Sequence, residues 1–251
     1  MLSYKVLLVH VERHSSSEAR ILMAADLADR FEATLIGLAA DPIASAEELQ
    51  AAGRSFHAIS SRAARHREWR AFAAPLTAAL AREARAADLL VLGFRLGELP
   101  GPLDATAGPA GRPVLLVPER TCVLDASRIL IAWRDTLQAR RAVATALPIM
   151  RLAEQVEILA VHGTTPSGDG AGEGLSDVAV YLSRHDVRAE IVRQAPADAR
   201  RANHITLAAQ ELGADLIVAG ASVVPGIIAA QRSDAAQSRG SQLQQCWLLS
   251  H

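Results

Sequence analysis

His14 and Glu18 stand four residues apart, the spacing at which one helix face holds two metal ligands. The second histidine of a zinc helix is missing, and the eight histidines do not cluster in metal spacing, so solvated histidines are the better reading. Ser222 follows Gly220-Ala221 as the serine of a nucleophile elbow would, but no glycine trails it and no triad partner follows in the usual order. The alternating glycines of 168–174 would suit a pyrophosphate cradle, except that Glu173 stands where the third glycine is needed; a flexible loop is the better reading. Cys122 and Cys246 form neither a metal nor a redox spacing, and a disulfide between them stays open. These patterns assign no catalytic residue and no metal ligand, and the expectation is a protein that is not an enzyme.

The elements that would position any site are written twice. Ala87-Asp88-Leu89-Leu90-Val91-Leu92-Gly93 is nearly copied by Ala214-Asp215-Leu216-Ile217-Val218-Ala219-Gly220, each after an alanine-rich stretch. A repeat at half the chain length gives two units of about 120 residues, the size of an ordinary domain rather than a solenoid repeat. In the first half, the apolar run from Val6 to Glu12 reads as a strand covered on both faces. Ser15 and Glu18 have capping-box spacing, ahead of a helix over 19–31 with Leu22, Ala25 and Ala28 on its buried stripe. Strands are predicted over 34–39, 68–72, 88–93 and 114–117. A helix over 46–65 opens on the Ser45 and Glu48 box and is interrupted by Gly53, and a helix over 75–86 has Pro75 in its first turn.

The second half repeats the order: a strand over 129–133, a helix capped by Thr136 that carries Ala139, Val143, Ala146 and Met150, and a strand over 156–161. A helix with Leu175, Val178, Ala179 and Leu182 on one face follows, then a strand, a helix, and strands over 215–219 and 247–250. Alternation of this kind implies parallel sheets with right-handed crossovers, whose ligands sit at the carboxyl ends of the strands where the order reverses. His10 falls at such an end, a weak ligand candidate and more often a structural group. Asp88 and Asp215 precede buried strands and are read as caps, and Trp133 and Trp247 as core.

Composition narrows the function classes. Half of the residues are apolar and 21% are charged, with a net charge of −1, so each half can bury a core and no basic field exists for nucleic acid. No segment has the length of a membrane span or the pattern of a secretion signal, which leads to the expectation of a cytoplasmic protein with no membrane partner.

The paired Ala-Asp-Leu strands, the Pro113-Val114-Leu115-Leu116-Val117 strand, the Ile131-Ala132-Trp133 opening and the closing Leu248-Leu249-Ser250-His251 together resemble the universal stress protein family, in its tandem bacterial form. The resemblance covers nearly the whole chain. It implies an α/β fold of two domains, 1–118 and 127–251, each a five-stranded parallel sheet with helices on both faces (adenine nucleotide alpha hydrolase-like, Rossmann-like). It also implies pairing through the final strands of the two halves, a homodimer, and a stress-response role toward an unidentified protein partner.

Members of the family that bind ATP use an acidic residue after the first strand. They also use a loop reading Gly, two residues, Gly, nine residues, Gly, then Ser or Thr, whose glycines let backbone amides approach phosphates. Carried onto this chain, the resemblance offers Glu12, Gly93, Val161 and Gly220 as positions that would bind ATP or ADP without turnover. The pattern is incomplete in both halves. Leu96 replaces the second glycine of the first loop; in the second half Arg134 takes the acidic place, and Val223 and Ser233 replace later glycines.

The stretch 222–245 turns abruptly to Gln, Ser and Ala while keeping the family's length, as a pair of compensating frameshifts would leave it, and is expected to pack poorly. Two other classes stay in view: a structural scaffold that binds no small molecule, and an enzyme of the adenine-nucleotide-binding superfamily. An ATP pyrophosphatase would need a Ser-Gly-Gly-type loop after the first strand, which Glu12-Arg13-His14 and Arg134-Asp135-Thr136 do not supply.

Overall fold

The computed structural model describes residues 3–12, 17–94, 108–119, 121, 123–161, 174–192, 204–223 and 245–251. His14, Ser15, Leu96, Cys122, Ser233, the glycines of 168–172, Glu173 and the stretch 224–244 lie outside them. The chain divides into two compact units, Met1–Leu124 and Asp125–His251.

In the first unit β1 (Val6–His10), β2 (Thr34–Ala40), β3 (His66–Phe72), β4 (Leu89–Phe94) and β5 (Val114–Pro118) pair in the order β3-β2-β1-β4-β5. Every pairing is parallel. Helices α1 (Glu18–Arg30), α2 (Ala46–Ser60) and α3 (Leu76–Glu83) connect them. The second unit runs β6 (Arg128–Trp133), α4 (Leu137–Met150), β7 (Gln155–Ala160), α5 (Leu175–Ser183), β8 (Ala189–Val192), α6 (His204–Leu212), β9 (Leu216–Gly220) and β10 (Cys246–Ser250). Its strands pair in the order β8-β7-β6-β9-β10, again all parallel. The two units thus share one topology, as the duplicated strings require.

In the first unit β4 and β5, and in the second β9 and β10, are buried almost residue by residue, whereas β3 and β8, at the other end of each order, alternate or stay half-exposed. This is why the former read as continuous apolar runs and the latter do not. The α4 stripe of Ala139, Val143, Ala146 and Met150 is buried as expected, below a Thr136 cap whose Oγ accepts the Ala139 N–H at 3.2 Å. The Ser45–Glu48 capping box closes reciprocally at 3.2 and 2.8 Å.

Three expectations are corrected. In α1 the buried residues are Arg20, Ile21, Met23, Ala24, Ala25, Leu27 and Ala28, while Leu22 is only half-buried; the buried face is wider than the stripe drawn from Leu22, Ala25 and Ala28. The second helix stops at Ser60 rather than 65, and the next residues turn through Ala63 and Ala64 N–H bonds to the Ser60 carbonyl. The chain is thereby freed to start β3 at His66. Gly53 does not interrupt this helix. A Cβ there would lie 2.8 Å from the Trp69 indole nitrogen, so glycine is what lets α2 seat against β3.

The repeated aspartates pin the sheets. Asp88 Oδ2 accepts the Lys5 and Val6 N–H groups at 2.7 and 3.0 Å, while its own N–H bonds the Val6 carbonyl at 2.9 Å. In the second unit Asp215 Oδ2 accepts the Ala126 N–H at 2.8 Å and its N–H bonds Arg128. Ala126 has a φ of 52°, a left-handed conformation that is costly for a residue with a Cβ, and the carboxylate receives its N–H there. The Asp88→Ala and Asp215→Ala variants are each expected to lose about 1–3 kcal/mol of stability in urea unfolding, with the Asn variants losing less because they keep an acceptor. Parent-like midpoints for both alanine variants would show that the carboxylates do not set the pairing.

Candidate functional site

In a 3-2-1-4-5 order the direction of winding reverses between β1 and β4, and the crevice outside their carboxyl ends is where such folds place ligands. In the first unit four described residues converge there. His10 ends β1, Glu12 follows it, Ser17 precedes α1, and Arg20 lies in the first turn of that helix. Ser17 is the N-cap by position but makes no capping bond. Its Oγ instead accepts the Glu12 N–H at 2.8 Å and Arg20 Nη2 at 3.0 Å.

Arg20 is 3% exposed, a rare place for a guanidinium. Its Nε donates to the His10 carbonyl at 2.9 Å, and its Nη2 to Glu12 Oε1 at 3.1 Å. Its Nη1 lies where a Cβ on Gly93 would come within 1.4 Å, so Gly93 clears the space the guanidinium fills. Burial pulls the Arg20 pKa down while Glu12 and Glu119 hold it up, so the charge is retained. Of the expected positions, Glu12 and Gly93 are brought together here, and Arg20 is the residue between them. Sequence reasoning passed over Arg20. Its signal is its place on the same helical face as Ala24 and Ala28 in an otherwise apolar stripe.

The second unit differs. Val161 and Gly220 flank the end of β6, Val161 donating its N–H to the Trp133 carbonyl at 2.7 Å and Gly220 ending β9. A Cβ on Gly220 would meet the Ala139 nitrogen at 2.8 Å, so this glycine admits the first turn of α4 to the crevice. Arg134 stands in the acidic place, with Nη2 donating to Ser222 Oγ at 3.0 Å and its buried Nε without a partner among the described residues. Ser222 is therefore an acceptor for arginine here, with no base beside it among the described residues. Asp135, one place later, is tied to Arg140 at 2.7 Å. A cavity of about 440 Å³ opens beside the crevice between α4 and α5, lined by Trp133, Asp135, Arg140, Val143, Val178 and Tyr181; Val161 and Gly220 do not line it.

The remaining candidates are structural. Asp88 and Asp215 bond strand N–H groups. Trp133 and Trp247 are each 3% exposed in the core. Cys246 is a free buried thiol whose pKa is pushed up to about 12 by burial and by Asp215. Among the described residues, no group of three or more His, Cys, Asp or Glu is placed to hold a metal ion, and no helix is long and apolar enough to cross a membrane.

Burial, and next to it the Arg20 charge, lowers the His10 pKa from 6.5 to about 4, with Glu12 acting in the opposite direction. His10 Nδ1 lies 3.9 Å from Glu12 Oε1, and at neutral pH the imidazole is uncharged. A histidine lowered in the folded state contributes stability that is complete above its unfolded value of 6.5 and is lost as pH falls toward 4. The parent is therefore expected to lose up to about 3 kcal/mol more than a His10→Gln variant between those limits, read by urea unfolding across pH. Parallel pH profiles for the two proteins would show that His10 titrates normally.

No protein-family model matches the chain, and no curated protein matches it in sequence. Solved structures do match. A universal stress protein from Archaeoglobus fulgidus DSM 4304 superposes with a TM-score of 0.63 at 12% identity, covering 98% of this chain and 95% of that one. The functionally unknown protein PA1789 from Pseudomonas aeruginosa PAO1 gives 0.61 at 14% identity over 98% of this chain and 92% of its own. A protein of Pseudomonas aeruginosa UCBPP-PA14 named as a candidate universal stress protein gives 0.59 at 15% identity over 98% and 93%. Two units of one parallel topology, aligned over 98% of the chain with a universal stress protein, establish that this chain carries the universal stress protein fold.

Proposed function

We propose that the chain is a universal stress protein-like binding and regulatory module that takes an adenine nucleotide, ATP or ADP, in its second half and does not turn it over. The observation that carries this reading is the end of β6. There Gly220 brings the first turn of α4 to the switch point of a parallel sheet, beside the Arg134 guanidinium. Backbone N–H groups at a helix start and a guanidinium both favour phosphate. Because Arg134 replaces the carboxylate that ATP-binding members use, recognition here would rest on the phosphates more than on the ribose. Val161, on the other side of β6, would lie toward the base.

A bound nucleotide would act by favouring one surface over another toward a protein partner, with a homodimer presenting two such surfaces and the cytoplasm as the place of action. A ligand that binds only the folded state raises the unfolding midpoint, by about 2.7 kcal/mol at a hundredfold excess over Kd. Expected are a midpoint raised by Mg·ATP and by ADP, one equivalent bound per chain by calorimetry, a Kd weakened tenfold or more in Arg134→Ala, and no phosphate release. A midpoint indifferent to both nucleotides would replace this reading with a scaffold that binds no small molecule. Measured hydrolysis would replace it with an enzyme.

A further inference from the structure

The first-half crevice already contains a cation that belongs to the chain. Arg20 reaches it from the first turn of α1, and the groups around the guanidinium are those that would receive one arriving from solution: the His10 carbonyl at Nε, and the Glu12 carboxylate and Ser17 hydroxyl at Nη2. Ser17 gives up capping its own helix to take part. Strand β4 contributes by subtraction. The three atoms nearest to a Cβ built on Gly93 all belong to Arg20, with Nη1, Cζ and Nη2 at 1.4, 2.6 and 3.4 Å.

An ordinary surface ion pair needs none of this, and burying a charge is costly unless its surroundings are built for it. Alanine at position 20 would continue the small-residue face of Ala24 and Ala28 without that cost. The structure therefore holds a guanidinium-shaped recess walled by His10, Glu12, Ser17 and Gly93, whose occupant is covalently attached.

We propose that Arg20 is a built-in occupant of the first-half crevice: its guanidinium is held as a ligand would be held, and it closes that half to small molecules. The two halves of the duplicated fold then differ at their switch points, the first being filled by its own side chain. This inference does not depend on which ligand, if any, the second half takes, because its test uses no nucleotide.

The experiment is a double-variant cycle with chemical rescue on the full chain. Gly93→Ala places a methyl group on the guanidinium, so in the parent it should lower the thermal midpoint by roughly 5 °C or more. In an Arg20→Ala background the clash has no partner, and the same glycine substitution should cost little or raise the midpoint by filling space. Guanidinium ion is the second probe. Low-millimolar guanidinium chloride, compared with sodium chloride at equal ionic strength, should raise the midpoint of Arg20→Ala and leave the parent unchanged. If Arg20→Ala does not fold, Arg20→Lys serves in both arms, since its ammonium cannot reproduce the planar fork. Equal costs of Gly93→Ala in both backgrounds, or no difference between guanidinium and sodium for the arginine variant, would overturn the proposal.

Discussion

A parallel sheet has no hairpin to decide where one strand begins against the next, so register has to be pinned from outside the turn. In both halves of this protein the pin is an aspartate carboxylate at the amino end of the fourth strand of the half, taking backbone N–H groups from the start of the first strand or from a residue one or two places before it. In the first unit two N–H groups share one oxygen of Asp88. In the second, Asp215 receives Ala126 in a left-handed turn and is buried enough that its pKa is raised, mainly by desolvation, although backbone N–H groups work against that. The register that follows, Leu7 with Leu89 and Ile129 with Leu216, sets which residues stand beside one another at the carboxyl ends of these strands. Everything that can be called a site depends on that placement.

From that shared frame the halves diverge at one kind of residue. Both crevices hold an arginine, but from different elements. In the first unit it comes from the helix and lies under the sheet's end, bonded to a carbonyl, a carboxylate and a hydroxyl. In the second it continues from the strand, bonded to one serine and with Nε left without a partner among the described residues. The two glycines diverge with them: Gly93 makes room for a side chain, and Gly220 for the backbone of a helix. One glycine at one position of a duplicated fold thus serves opposite ends, filling a crevice in one copy and opening a helix start to it in the other.

The first crevice is also where the electrostatics are least ordinary. A guanidinium and an imidazole that stays neutral well below its usual range are a consistent pair, because a second cation in this buried place would be repelled by the first. Glu12 favours both cations, but for His10 its pull is outweighed by burial and by the Arg20 charge. Charge state, burial and hydrogen bonding therefore select the same arrangement.

The parallel strands, the order of the elements in each half, the Ser45–Glu48 and Thr136 caps and the buried face of α4 are all legible in the order of the residues. Those features follow from one-sided burial and local hydrogen bonding, which leave a period of 3.6, a continuous apolar run or a capping pair in neighbouring residues. What Gly53, Gly93 and Arg20 are for emerges once the chain is folded. Gly53 looked like a break because the Trp69 indole that needs the space lies on the next strand. Glu12 and Gly93 were legible as positions through the family resemblance, but the guanidinium between them was not, since an arginine in an apolar helix face has no local pattern that names its partners. What a side chain does at a switch point depends on residues from strands far apart in the chain, and short-range periodicity carries no record of which of them will meet.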